Sequence, residues 1–192
     1  MNFTTIKQFF LGRNTWRTQQ LVGLIALFLT ALTNGAFLQH AKQVYYPQNV
    51  GFVVALMVIL FALNYVLLSL LSIRHTVKVV GAVILVLSAV VAYHMDTFDV
   101  VIDKVMLQNV AETQTREVRD LLTLKFALYT VLLGILPAWW LLRQKVERTS
   151  VLRGFWSKLK GMILALVVVA VVVGVFNKDM ASFVREHKAV RF

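Results

Sequence analysis

Asn109, Thr113 and Glu117 are the residues of this chain best spaced for binding chemistry. They recur at i, i+4 and i+8, so on a helix they line one stripe. An amide, a hydroxyl and a carboxylate in one line can take a polar head group that bears both a phosphate and an ammonium. Glu117 would pair with the ammonium, and Asn109 and Thr113 would hydrogen-bond the phosphate oxygens. A solvated helix face looks the same, and spacing alone favours that blander account. The neighbouring stripe Glu112, Arg116 and Asp120 alternates in charge, which is ordinary surface pairing at about 0.3–0.5 kcal/mol per pair.

Little else in the chain suggests chemistry. There is no cysteine, which excludes disulfide, haem-thiolate and thiol chemistry. His40, His75, His94 and His187 are scattered and do not converge with carboxylates at ligand spacing, so no metal site is expected within this chain. Walker, dinucleotide-binding and G-x-S-x-G patterns are absent.

The elements that must position the stripe are apolar. Of 192 residues, 59% are hydrophobic, and the mean hydropathy is +0.74. Long apolar runs fall at about 20–38, 50–73, 77–95, 121–142 and 161–176. Each approaches the length a helix needs to cross a hydrocarbon core of about 30 Å. In lipid the backbone must satisfy its own hydrogen bonds, so such runs span as helices. The fold expected is an all-α membrane protein of five transmembrane helices. The first is read as an uncleaved signal-anchor, because no small-x-small cleavage site precedes His40. Residues 96–120 are too polar to span and carry helical periodicity at Ile102, Met106 and Val110. They are expected to form an amphipathic helical segment on the periplasmic surface between spans three and four.

Charge orients the spans. The net charge of +11 would suggest nucleic acid in a soluble protein. Here the cations sit between runs, and no nucleic-acid partner is expected. Arg13 and Arg17 precede the first run, Arg74 and Lys78 join the second to the third, and Arg143, Lys145, Arg148, Arg153, Lys158 and Lys160 join the fourth to the fifth. The opposite loops dilute their cations with acids such as Asp96, Asp103 and Glu117. The positive-inside rule then places the N-terminus in the cytoplasm and the C-terminus in the periplasm of a bacterial inner membrane. Trp139, Trp140 and Trp156 would anchor the basic loop at the interface. Pro137 is expected to kink the fourth span. No run holds a deep Asp or Glu, which argues against a proton-driven transporter.

The stretch VVIDKVMLQNVAETQTREVRDLL, Val100–Leu122, resembles the periplasmic segment of the phosphoethanolamine–lipid A transferases, a family that includes the mobile colistin-resistance enzymes. The matching positions are Asp103, Met106, Asn109, Thr113 and Glu117. GILPA (Gly134–Ala138) and NKDMASFVREHKAVR (Asn177–Arg191) match as well, although Asn177 and Met180 stand where the family carries aromatics. The resemblance implies a membrane domain that precedes a periplasmic catalytic domain holding zinc and a threonine nucleophile. It implies phosphatidylethanolamine as donor and lipid A as acceptor, with membrane lipids and the catalytic domain as partners. It also implies that Asn109, Thr113 and Glu117 hold the phosphoethanolamine group, which tips the balance away from a merely solvated face.

The catalytic half lies outside these 192 residues, so the chain is expected to hold no cofactor itself, to have no transferase activity alone and to be an excised membrane domain. A purely structural anchor and an unrelated small channel or transporter are the competing readings.

Overall fold

The structure is a computed structural model. It describes residues 15–45, 49–73, 76–98, 123–147 and 150–177. The described elements are β1 (Thr15–Trp16), α1 (Thr18–Leu32), α2 (Gly35–Tyr45), α3 (Val50–Leu71), α4 (Val77–Phe98), α5 (Leu124–Arg143), β2 (Lys145–Val146) and α6 (Val151–Val175). Four helices are long and apolar enough to cross a membrane: α3, α4, α5 and most of α6, Leu152–Val175. The first apolar run behaves differently. Its helix, α1, has 15 residues, and α2 takes up the rest of the run and continues to Tyr45.

Local hydrogen bonds explain that break. The Leu29 carbonyl accepts from the Thr33 amide at 3.2 Å, from Thr33 Oγ1 at 2.9 Å and from Asn34 Nδ2 at 2.7 Å. Side chains that turn back onto the preceding turn compete with continued helix. Asn34 then opens α2 through its own carbonyl, which accepts from the Leu38 amide at 3.0 Å. Two other starts are capped by side chains. Asn49 Oδ1 accepts from the Phe52 amide at 3.1 Å, and Thr123 Oγ1 accepts from the Phe126 amide at 3.1 Å.

The helices stand in a row, in the order α6, α3, α1, α4, α5, with α2 against α3 and α4. The core therefore centres on α1, which buries Leu21, Val22, Ile25, Ala26 and Leu29 between its neighbours. Small residues on α4 let the others approach: Gly81, Ala82, Ala89 and Ala92 are all buried. Polar side chains add cross-helix bonds. Asn64 Nδ2 donates to Thr30 Oγ1 at 3.3 Å, and the Tyr65 hydroxyl donates to Gln19 Oε1 at 2.9 Å. Leu70, Leu87 and Leu164 are more than half exposed. Water would penalise such a surface, whereas lipid accommodates it.

Since α5 and α6 stand at opposite edges of the row, the chain between them must pass beneath it. A clasp pins that connection to the start of α1. β1 and β2 pair in parallel, Thr15 with Lys145 and Trp16 with Val146. Trp16 packs edge-on against Trp140, with ring centroids 6.2 Å apart, and Arg17 meets Glu147 at 3.4 Å. The helix α6 touches α3 along one line. Lys158 Nζ donates to the Leu70 and Ser72 carbonyls at 3.4 Å each, where α3 ends. At the other end, the Phe52 and Phe176 rings lie 6.1 Å apart.

Inside α5 the residues Val131–Ile135 form a π-helical turn, closed by the Leu136 amide donating to the Val131 carbonyl. Pro137 follows directly. A proline in a helix lacks the amide donor and crowds the carbonyl four residues before it. A π turn there relieves the conflict. The disturbance expected at Pro137 is thus a change of register in the turn ahead of it.

Candidate functional site

Asn109, Thr113 and Glu117 lie outside the described residues, as does the segment 99–122 that contains them. Of the surface helix expected at 96–120, only Asp96, Thr97 and Phe98 are described, and they form the last turn of α4. What the structure does show is the ground from which that segment leaves and to which it returns.

That ground is a polar and aromatic hub joining α4, α5 and α2. The Tyr129 hydroxyl of α5 donates to Asp96 Oδ2 of α4 at 2.6 Å, across 33 residues of sequence. The Tyr93 hydroxyl and Thr123 Oγ1 lie 2.9 Å apart. One Thr123 oxygen therefore bonds to Tyr93 while it caps α5. Tyr93 is central among the rings, with centroids 5.1 Å from Phe126, 5.8 Å from Tyr129 and 5.4 Å from His94. All these pairs are tilted edge-to-face, the favoured arrangement for aromatic quadrupoles. Lys125 Nζ hangs 6.0 Å from the Tyr93 centroid, at the outer limit of a cation–π contact.

Asp96 also reaches α2. A methyl placed on Gly35 would lie 3.3 and 3.4 Å from its two carboxylate oxygens. Gly35 is the first residue of α2, where unsatisfied amides and the helix dipole favour a negative group. Glycine lets the carboxylate come this close. The 2.6 Å hydrogen bond is at the short end of the range for a hydroxyl donor. One carboxylate thus meets three helices.

A metal does not fit here. Among the described residues no three His, Cys, Asp or Glu side chains are placed to hold one. His94 uses Nδ1 on the Val90 carbonyl at 2.8 Å and packs its ring on Tyr93 and Phe126.

The hub is only partly visible in the sequence. Tyr129 shows as a polar residue in an apolar run, and Asp96 as the first residue of the polar segment. Neither their pairing nor the role of Gly35 has a local signal, because the partners are far apart in the chain. A threonine directly before an apolar run, as at Thr123, is a recognisable cap signal.

Comparison with known proteins gives a consistent result. The family model described as "Phosphoethanolamine transferase EptA/EptB" matches residues 60–192. Phosphatidylethanolamine transferase Mcr-2 of Escherichia coli is 36% identical over 173 residues, which cover 90% of this chain and 32% of Mcr-2. Mcr-1 of Escherichia coli is 35% identical over 173 residues, covering 89% of this chain and 32% of its own length. The solved structure of the integral membrane lipooligosaccharide phosphoethanolamine transferase A (EptA) from Neisseria meningitidis superposes with a TM-score of 0.84 at 27% identity, over 92% of this chain and 34% of that one. The chain thus spans about a third of the length of the relatives it matches.

Proposed function

The chain belongs to the phosphoethanolamine transferase EptA/EptB family, and from that membership we propose that it is the membrane domain that positions lipid substrates for transfer. The donor is phosphatidylethanolamine and the acceptor is lipid A. A zinc-dependent periplasmic domain performs the chemistry and supplies the metal and the nucleophile. The family match over residues 60–192 carries this reading.

In this reading α1, extended by α2, is the first of five spans. The clasp faces the cytoplasm, where Arg17, Lys78, Arg143, Lys145, Arg153, Lys158 and Lys160 gather. The hub faces the periplasm, the N-terminus is cytoplasmic and the C-terminus is periplasmic, in a bacterial inner membrane. The segment 99–122 then belongs to the periplasmic side, where the head groups are handled. Asn109 and Thr113 hydrogen-bond the phosphate, and Glu117 pairs with the ammonium. Holding one reactant in place removes an entropic part of the barrier that the catalytic domain would otherwise face.

The test is phosphoethanolamine transfer by the full-length enzyme in vesicles. Glu117→Ala and Glu117→Gln should both lower transfer, by about 10- to 150-fold if a desolvated charge-assisted bond of about 1.5–3 kcal/mol is lost. Arg116→Ala should have little effect. Normal transfer by Glu117→Ala at normal protein level, with loss in Arg116→Ala, would place the site on the other helix face.

A further inference from the structure

The end of α5 carries two cations without a counter-charge. Arg143 is the last residue of α5 and Lys145 the first of β2, and both are exposed. Between them Gln144 is extended, with φ −67° and ψ 147°, and buried. An extended residue turned inward sends its two neighbours to the other side, so Arg143 and Lys145 leave the chain together. Basic residues at a helix C-terminus usually serve its last carbonyls. Here Gln144 does so. Its backbone amide donates to the Leu141 carbonyl at 3.1 Å, and its Nε2 donates to the Trp140 carbonyl at 3.0 Å. Nor does an acid neutralise the pair. The two acids among the described residues are Asp96, at the hub, and Glu147, which Arg17 already meets at 3.4 Å.

The surroundings of the pair are those of a lipid head group. The apolar stretch of α5 runs over Leu124–Arg143, so Arg143 stands where it ends. Trp139 lies one turn earlier on the same helix face and is half exposed, the usual place of an interfacial ring. The guanidinium carbon of Arg143 lies 3.9 Å from the centre of the Trp139 ring, a close cation–π contact. The contact restrains a long side chain and leaves the N–H fork available to a second partner. Such a fork matches the oxygens of a phosphate, and the ammonium of Lys145 adds a point charge beside it. A free anion would use only these two groups. Leu136, Trp139 and Leu142 expose apolar surface next to them, and that surface suits an acyl chain.

We propose that Arg143, Lys145 and Trp139 form a binding site for an anionic phospholipid, with its phosphodiester on the two cations and an acyl chain along the exposed edge of α5. The 20 residues of α5 separate this site from the hub, a distance of about 30 Å. The site needs only that α5 crosses the membrane. It does not depend on the head-group role given above to Asn109, Thr113 and Glu117. A head group held here fixes the depth at which this end of α5 meets the interface.

The experiment is native mass spectrometry of the full-length enzyme in detergent, titrated with dioleoylphosphatidylglycerol or dioleoylphosphatidylcholine. The two lipids share their chains and differ in head-group charge. The first lipid adduct should form about 25-fold more tightly with the anionic lipid. Arg143→Gln and Lys145→Gln should each reduce that preference about fivefold, and the double variant should abolish it. Trp139→Leu keeps both charges and should reduce it about threefold. Arg153→Gln and Lys160→Gln remove the same charge from α6, at the far edge of the row, and should change it by no more than about twofold. Losses there equal to those at Arg143 would make the preference a property of diffuse charge and overturn the inference. It is also overturned if the parent does not distinguish the two lipids, or if glycerophosphoglycerol, the same head group without chains, binds as tightly as the lipid. Lys145 is exposed, so Lys145→Gln keeps the test open if Arg143→Gln fails to fold. No transfer is measured, so failure here leaves the functional reading standing.

Discussion

The indole nitrogen of Trp16 donates to Gln144 Oε1 at 3.0 Å, across 128 residues of sequence. Gln144 is 1% exposed, and its other end donates from Nε2 to the Trp140 carbonyl at 3.0 Å. Both ends of a buried amide are thus satisfied, as burial requires. The bond ties the start of the first helix to the end of the span at the edge of the row.

Breaking that bond and breaking the ion pair beside it should cost different amounts. Gln144→Ala empties a buried volume and leaves the indole donor without its acceptor, so about 1–3 kcal/mol of stability should go. Exposed Arg17 and Glu147, beside it, should matter by about 0–1 kcal/mol when either is replaced by alanine. Thermal unfolding in detergent micelles compares the two. Equal losses would mean that the clasp is held by its surface ion pair.

Two helix glycines make opposite forecasts from their surroundings. A methyl on Gly81 would come within 2.7 Å of Ile25 Cδ1 and Leu141 Cδ2. Both are ends of flexible side chains and can move aside. A methyl on Gly134 would lie 3.1 Å from Ala89 Cβ and 3.2 Å from Val86 Cα, atoms fixed to the facing backbone. Alanine gains about 1 kcal/mol of helix propensity at either site. Gly81→Ala should come out near neutral. Gly134→Ala should lose about 1–3 kcal/mol through overpacking, despite the longer gap, and lower the unfolding temperature measurably. A reversed order would mean that α5 can move away from α4 at little cost.

Orientation can be read in intact cells. The chain has no cysteine, so single cysteines report cleanly. An impermeant maleimide should label cysteines at Gln114 and Lys188 and spare one at Thr149. Labelling at Thr149 would invert the proposed topology.

Thr123 serves both as the cap of α5 and as the partner of Tyr93. Thr123→Ser keeps the oxygen and should be nearly silent, whereas Thr123→Val keeps the shape and should cost about 1 kcal/mol or more. Thermal unfolding decides, and equal stability of the two variants would assign no weight to the hydroxyl.

Hydropathy locates the long helices well because lipid sets one simple demand on them. The run expected at 50–73 is helical over Val50–Leu71, and that at 77–95 continues to Phe98. It fails where the helix and the apolar run are different things. The helix α6 begins at Val151, ten residues before its apolar run, because Arg153, Lys158 and Lys160 are good helix formers although they are charged. The first run stops early because Thr33 and Asn34 turn back onto Leu29, which an average over a window cannot register. The stripe of Asn109, Thr113 and Glu117 lies outside the described residues. Asp96 and Tyr129 show in the sequence only as ordinary polar residues, since their meaning depends on a pairing across 33 positions.

The place of α1 in the middle of the row bears on biogenesis. It is made before the other described helices, yet it is the one they enclose. Until α3 and α4 are synthesised, Gln19, Thr30 and Asn34 have no neighbours to shield them. A 15-residue helix carrying such groups is a weak solo occupant of a bilayer. The packing of the first segment is therefore completed only when the later helices arrive to enclose it.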